Sequence, residues 1–182
     1  MGKLLGPATR DRGTWRNRPP QSPRPRAWGG EGNYHHGRWP FHPLMATRPS
    51  VFDALCSHID ELEQLPPGAE VLAQNELCAV QALAVELPSG SILFGTQYHP
   101  EFTLSVAAGL IEMRAADLVA EGFGRDCAEL VAMAGDFRAL HAEPERRDLA
   151  WRYGVSPEIL EPVRRTAEIG NWLREAAKIS ST

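Results

Sequence analysis

No run of about 18 apolar residues occurs anywhere in this chain, so no membrane-spanning helix is expected. The opening "MGKLLGPATRDRG" also lacks an apolar core of the length a secretory leader needs, and a cytoplasmic protein is predicted. Cysteine is scarce. Its three occurrences, Cys56, Cys78 and Cys127, form no C-x-x-C pair and are odd in number, which predicts reduced packing thiols rather than a disulfide framework.

What is present is unevenly distributed. The net charge of −4 hides a basic first segment, with nine Lys/Arg against two Asp/Glu in residues 1–50, and an acidic remainder, with ten against twenty-one. Residues 1–49 also hold eight of the fifteen prolines and show no apolar period of 2 or 3.6. A segment of that kind buries too little surface to offset its chain entropy, so residues 1–42 are read as a disordered Arg/Pro-rich arm. Arg interleaved with Trp15, Trp28 and Trp39 also suits a nucleic-acid arm, but no folded module accompanies it and nucleic acid is not the expected partner. A third reading is out-of-frame translation of a GC-rich gene. The cluster "YHHGRWPFH", with His35, His36 and His42, lacks the ordered ligand set of a zinc site, and no metal is expected.

From about residue 50 the pattern turns to short strands: "SVFDALCS", "AEVLAQN", "AVQALAVEL" and "SILFGTQYH", separated by the turn signals "PPG" and "PSG". Thr103 then offers an N-cap to "LSVAAGLIEMRAADLVAEG", which should be helical until Gly122. Strand followed by helix predicts the α/β class. Residues 123–182 form a helical extension by pattern, with Leu130, Met133, Phe137 and Leu140 on one face, Ser156 opening a short helix, and Val163, Ala167, Ile169 and Trp172 on a last apolar face.

The chemistry concentrates in "FGTQYHPEF". In an extended segment residues i and i+2 project to one side, so His99 and Glu101 can meet, and Pro100 restricts the backbone around them. A carboxylate beside an imidazole fixes its tautomer and stabilises the imidazolium, the base and orienter of a nucleophilic triad. The plainer reading is a surface histidine followed by a glutamate near a helix start.

Several motifs in one order carry a more specific resemblance: Ser57-His58-x-Asp60, "LPPG" at 65–68, "VLAQN" at 71–75, "VQAL" at 80–83, and Gln97-Tyr98-His99-Pro100-Glu101. Over residues 43–122 the chain resembles the C-terminal part of class I (triad-type) glutamine amidotransferases, close to the amidotransferase part of GMP synthetases. The resemblance implies an incomplete flavodoxin-like sheet, to which the helical extension is added. It also implies glutamine as substrate, no cofactor, and a synthetase or other ammonia-accepting partner. Carried over by position, His99 is the general base and Glu101 its orienter. Ser57, Ile59 and Asp60 then belong to the loop that touches the α-amino and carboxylate groups of glutamine; the plainer reading of that loop is a turn held by its Ser and Asp.

The family's nucleophile sits on a Gly-x-Cys-x-Gly elbow, and none of the three cysteines here is flanked by glycine. A base with no thiol to activate contributes little, so the chain is expected to be inactive as written. Two readings remain: an amidotransferase family member catalytic in its complete form, or a non-catalytic α/β protein that binds a partner, or itself, through an open sheet edge.

Overall fold

The computed structural model describes residues 33–34, 42–58 and 60–179, the side chains of residues 33, 34 and 179 excepted. The arm expected over 1–42 lies outside the described residues except for Asn33–Tyr34 and His42. Asn33–Tyr34 (β1) pairs antiparallel with Val51–Phe52 (β2). Between them runs a 3-10 turn, Pro43–Met45, whose first N–H groups are capped by His42. The His42 Nδ1 accepts from the Leu44 N–H at 3.3 Å, so this histidine is a capping group.

Three further strands, Ala69–Ala73 (β3), Ala82–Glu86 (β4) and Ile92–Thr96 (β5), form one antiparallel sheet in sequence order. Both connections are short turns, the reason neighbouring strands in the chain are also neighbours in the sheet. Gly68 precedes β3 with φ of 78°, and a Cβ there would stand 3.2 Å from the Glu86 carbonyl oxygen, so only glycine fits without strain. The fold is mixed α/β, as expected. Among the described residues its strand pairs are all antiparallel.

Thr103 caps Leu104–Met113 (α1) by accepting from the Val106 N–H. The helix expected to continue to Gly122 breaks at Arg114 and resumes as Ala115–Ala120 (α2), ending at Gly122 with φ of 87°. Asp126 caps the longest helix, Cys127–Ala142 (α3), which buries Leu130, Met133, Phe137 and Leu140 as their spacing predicted. Four helices follow: Arg147–Tyr153 (α4), Pro157–Leu160 (α5), Pro162–Arg165 (α6) and Ala167–Ile179 (α7). None of the helices described is long and apolar enough to cross a membrane.

The apolar interior has two parts. One lies among α1 to α5 and includes Leu55, Ile111, Phe137 and Ile159; the other, beneath the sheet, joins Met45, Phe52, Leu72, Ala84 and Tyr98. Helix α7 reverses the sequence expectation. Val163 (86% exposed) in α6 and Trp172 (50% exposed) in α7 face solvent, while Glu168 and Asn171 are buried with Ala167. The cause is a set of polar partners from the segment 44–48, which an apolar face could not satisfy.

Candidate active site

Beyond β5 the chain stays extended through Gln97 and Tyr98, because the Gln97 N–H donates to the Gln81 carbonyl and the His99 N–H to the Leu55 carbonyl, each at 2.8 Å. Cys56 and Tyr98 form an isolated antiparallel bridge between these segments. The segment after Phe52 therefore runs beside the end of β5, and it carries the Ser57 to Asp60 loop to the same end of the sheet. Pro100 and Glu101 form a turn, closed by the Phe102 N–H donating to the His99 carbonyl at 3.1 Å.

That turn brings the His99 Nδ1 to 2.8 Å from Glu101 Oε1. Both side chains keep access to solvent, the imidazole less than the carboxylate. The ring of Phe102 lies parallel to that of His99, with centroids 4.0 Å apart, and covers one of its faces. With Nδ1–H donated to the carboxylate, Nε2 carries the lone pair and can accept a proton.

The Ser57 to Asp60 loop forms one wall of an open groove of about 790 Å³, and Gln81, Gly95, Thr96, Gln97 and Arg114 contribute to the remainder. His58 Nδ1 lies 2.9 Å from the Asp60 carbonyl oxygen, and the Gln97 amide donates to that oxygen at 3.5 Å. Gln97 and His99, two apart on extended backbone, project to one side, which connects the loop with the His–Glu pair. Ile59 lies outside the described residues. Arg114 and Gln81 had no distinguishing signal in the sequence. An arginine in a helical run reads as surface, and Gln81 gains its place only through pairing with the neighbouring segments.

The cysteines occupy other positions. Cys56 shares a face with Tyr98, packs against the lower core, and its Sγ donates to Gln81 Oε1 at 3.7 Å. Alternation along the strand puts His99 on the opposite face. Cys78 is buried with its thiol on the Val80 carbonyl at 3.2 Å, and Cys127 is exposed at the start of α3.

These residues fall within a stretch that matches a known family. Residues 29–115 match the Glutamine amidotransferase class-I family, a match that starts ahead of the boundary expected at residue 43. The chain belongs to the class I glutamine amidotransferases. It is 36% identical over 135 residues to a gamma-glutamyl-L-1-hydroxyisopropylamide hydrolase of a Pseudomonas species, covering 72% of this chain and 44% of that protein. The amidotransferase-family relatives also include one subunit of the glutamine-hydrolyzing GMP synthase of Methanocaldococcus jannaschii, 38% identical over 58 residues, or 32% of this chain and 29% of the relative. The corresponding polypeptide of Thermococcus kodakarensis is 48% identical over 46 residues, 25% of this chain and 22% of the relative. The chain thus spans less than half the length of each of these three relatives.

Proposed function

We propose that this chain carries the base side of a γ-glutamyl amide hydrolase, with glutamine as substrate and a thiol that this sequence does not supply on a glycine-flanked elbow. The observation that carries the reading is the 2.8 Å contact between His99 Nδ1 and Glu101 Oε1 beside the Ser57 to Asp60 loop. In the complete site, His99 Nε2 takes the thiol proton and the thiolate adds to the amide carbon. His99 returns the proton to the departing nitrogen, which leaves as ammonia. It then takes a proton from the water that adds to the thioester, and glutamate leaves with the thiol restored. Glu101 holds Nδ1–H throughout and offsets the charge of the imidazolium. Ser57, Ile59 and Asp60 bind the α-amino and carboxylate end of the substrate.

Two relatives are named as one subunit of a glutamine-hydrolyzing GMP synthase, which supports a separate synthetase polypeptide as the acceptor of the ammonia. A second reading, an N-alkyl γ-glutamyl amide as substrate, is favoured by the activity for which the Pseudomonas relative is named. Both cleave the same γ-glutamyl C–N bond.

Titrating the chain with L-glutamine, and separately with γ-glutamyl isopropylamide, while following the Ser57, Asp60 and His99 NMR signals tests the binding role. Shifts at these residues are expected and their absence overturns it. The chain alone should release no ammonia from glutamine. Turnover lost in His99→Ala would place a working nucleophile inside this sequence.

A further inference from the structure

Directly beside His99, on the other face of the strand, Tyr98 is 1% exposed and its hydroxyl donates to Glu168 Oε1 at 2.6 Å. Glu168, on α7, is wholly buried. Arg48 grips the same carboxylate with two bonds, Nε to Oε1 at 2.5 Å and Nη2 to Oε2 at 2.8 Å. Burial and the neighbouring carboxylate raise the Tyr98 pKa well above its ordinary value, so the phenol keeps the proton it donates. These partners lie 70 and 120 positions apart in the chain, and so the helical extension reaches the strand end that bears the base.

Stability alone does not account for the arrangement. A buried carboxylate and guanidinium lose much of their hydration, and well-packed apolar residues of similar volume are often at least as stable. What an ion pair with a third hydrogen bond adds is one geometry. Here that geometry fixes the Tyr98 side chain, while backbone hydrogen bonds hold the peptides on either side of it at Gln97 and His99. A ring anchored on one face limits rotation of the backbone that aims His99 from the other.

We infer that Glu168, supported by Arg48, is a positioning residue for the His99–Glu101 pair and acts through the Tyr98 hydroxyl. The inference rests on the reading of His99 as the base. It assigns the C-terminal extension a role in the site: without α7 the imidazole samples orientations in which Nδ1–H is not on Glu101.

The test uses the full chain with 15N-labelled histidine, the His99 signals being assigned with His99→Gln. At a fixed pH the ring nitrogen shifts give the ratio of Nδ1–H to Nε2–H tautomers, and no turnover is required. Failure of the glutamine-binding assignment would therefore leave this readout intact. In the parent chain the Nδ1–H form should dominate. Tyr98→Phe, which keeps the ring and its volume, and Glu168→Ala should each lower the ratio by about threefold or more, and Glu168→Gln should fall between because its amide oxygen still accepts from Tyr98. A purely structural role would lower the unfolding midpoint and leave the tautomer ratio of the folded chain unchanged. That result in folded Tyr98→Phe overturns the proposal even if Glu168→Ala does not fold.

Discussion

Phe102 lies flat against the imidazole of His99, with an angle of 7° between the rings and 4.0 Å between their centroids. The phenyl ring also packs against the helical core, so the base is backed by the same interior that holds α1. Replacing Phe102 by Leu keeps apolar volume and removes the stacking partner. Aromatic pairs of this kind contribute roughly 0.5–1.5 kcal/mol beyond area burial. Phe102→Leu should therefore lower stability by about 1 kcal/mol in urea unfolding. It should also broaden the His99 ring signals, and unchanged sharp signals would count against the stacking role.

The pair Arg48 and Glu168 gives a prediction that a double-mutant cycle can read. Arg48→Met alone strands a buried carboxylate and should cost about 3–5 kcal/mol. Joining it to Glu168→Leu removes both charges and should restore most of that loss, since the pair's own net contribution is small. Additive losses in the cycle would mean that the two side chains act independently.

Among the described residues β5 ends the three-stranded sheet, and Ile92 and Leu93 at its start are 59% and 51% exposed. An apolar sheet edge of this kind favours pairing with another chain. Light scattering should show concentration-dependent association, and Leu93→Lys should reduce it. A monodisperse monomer for the parent chain up to high concentration would contradict this expectation.

The pH dependence of stability should carry a His42 component. Burial pushes this imidazole below its ordinary value of 6.5, with the Glu70 and Glu175 carboxylates acting in the opposite direction. Protonation would also remove the Nδ1 acceptor that caps Leu44. Because the folded chain resists the proton more than the unfolded one, this contribution is present above 6.5 and is lost as pH falls from there through the lowered folded value. The urea midpoint should fall on that descent, and His42→Asn, which retains a capping oxygen, should flatten the change. Identical pH profiles for the two chains would exclude the assignment.

Local chemistry alone determined much of this protein. Thr103 as a cap, Gly122 as a stop, the α3 face from Leu130 to Leu140 and the adjacency of His99 and Glu101 all depend on contacts within a few residues, which spacing reveals. The family was legible too, because its motifs keep their order in the chain. Only the tertiary structure decided which side of α7 faces inward. An apolar count selects Ile169 and Trp172, but Arg48, Leu44 and Tyr98 arrive from 70 to 127 residues away and supply the partners that make Glu168 and Asn171 the buried pair. Phe102 over His99, Gln97 against the Asp60 carbonyl and Arg114 on the groove wall likewise arise from how turns and segments meet. Hydrogen-bond demand in a low-dielectric interior outweighed the hydrophobic pattern in α7, and no periodicity in one helix records the partners waiting in another segment.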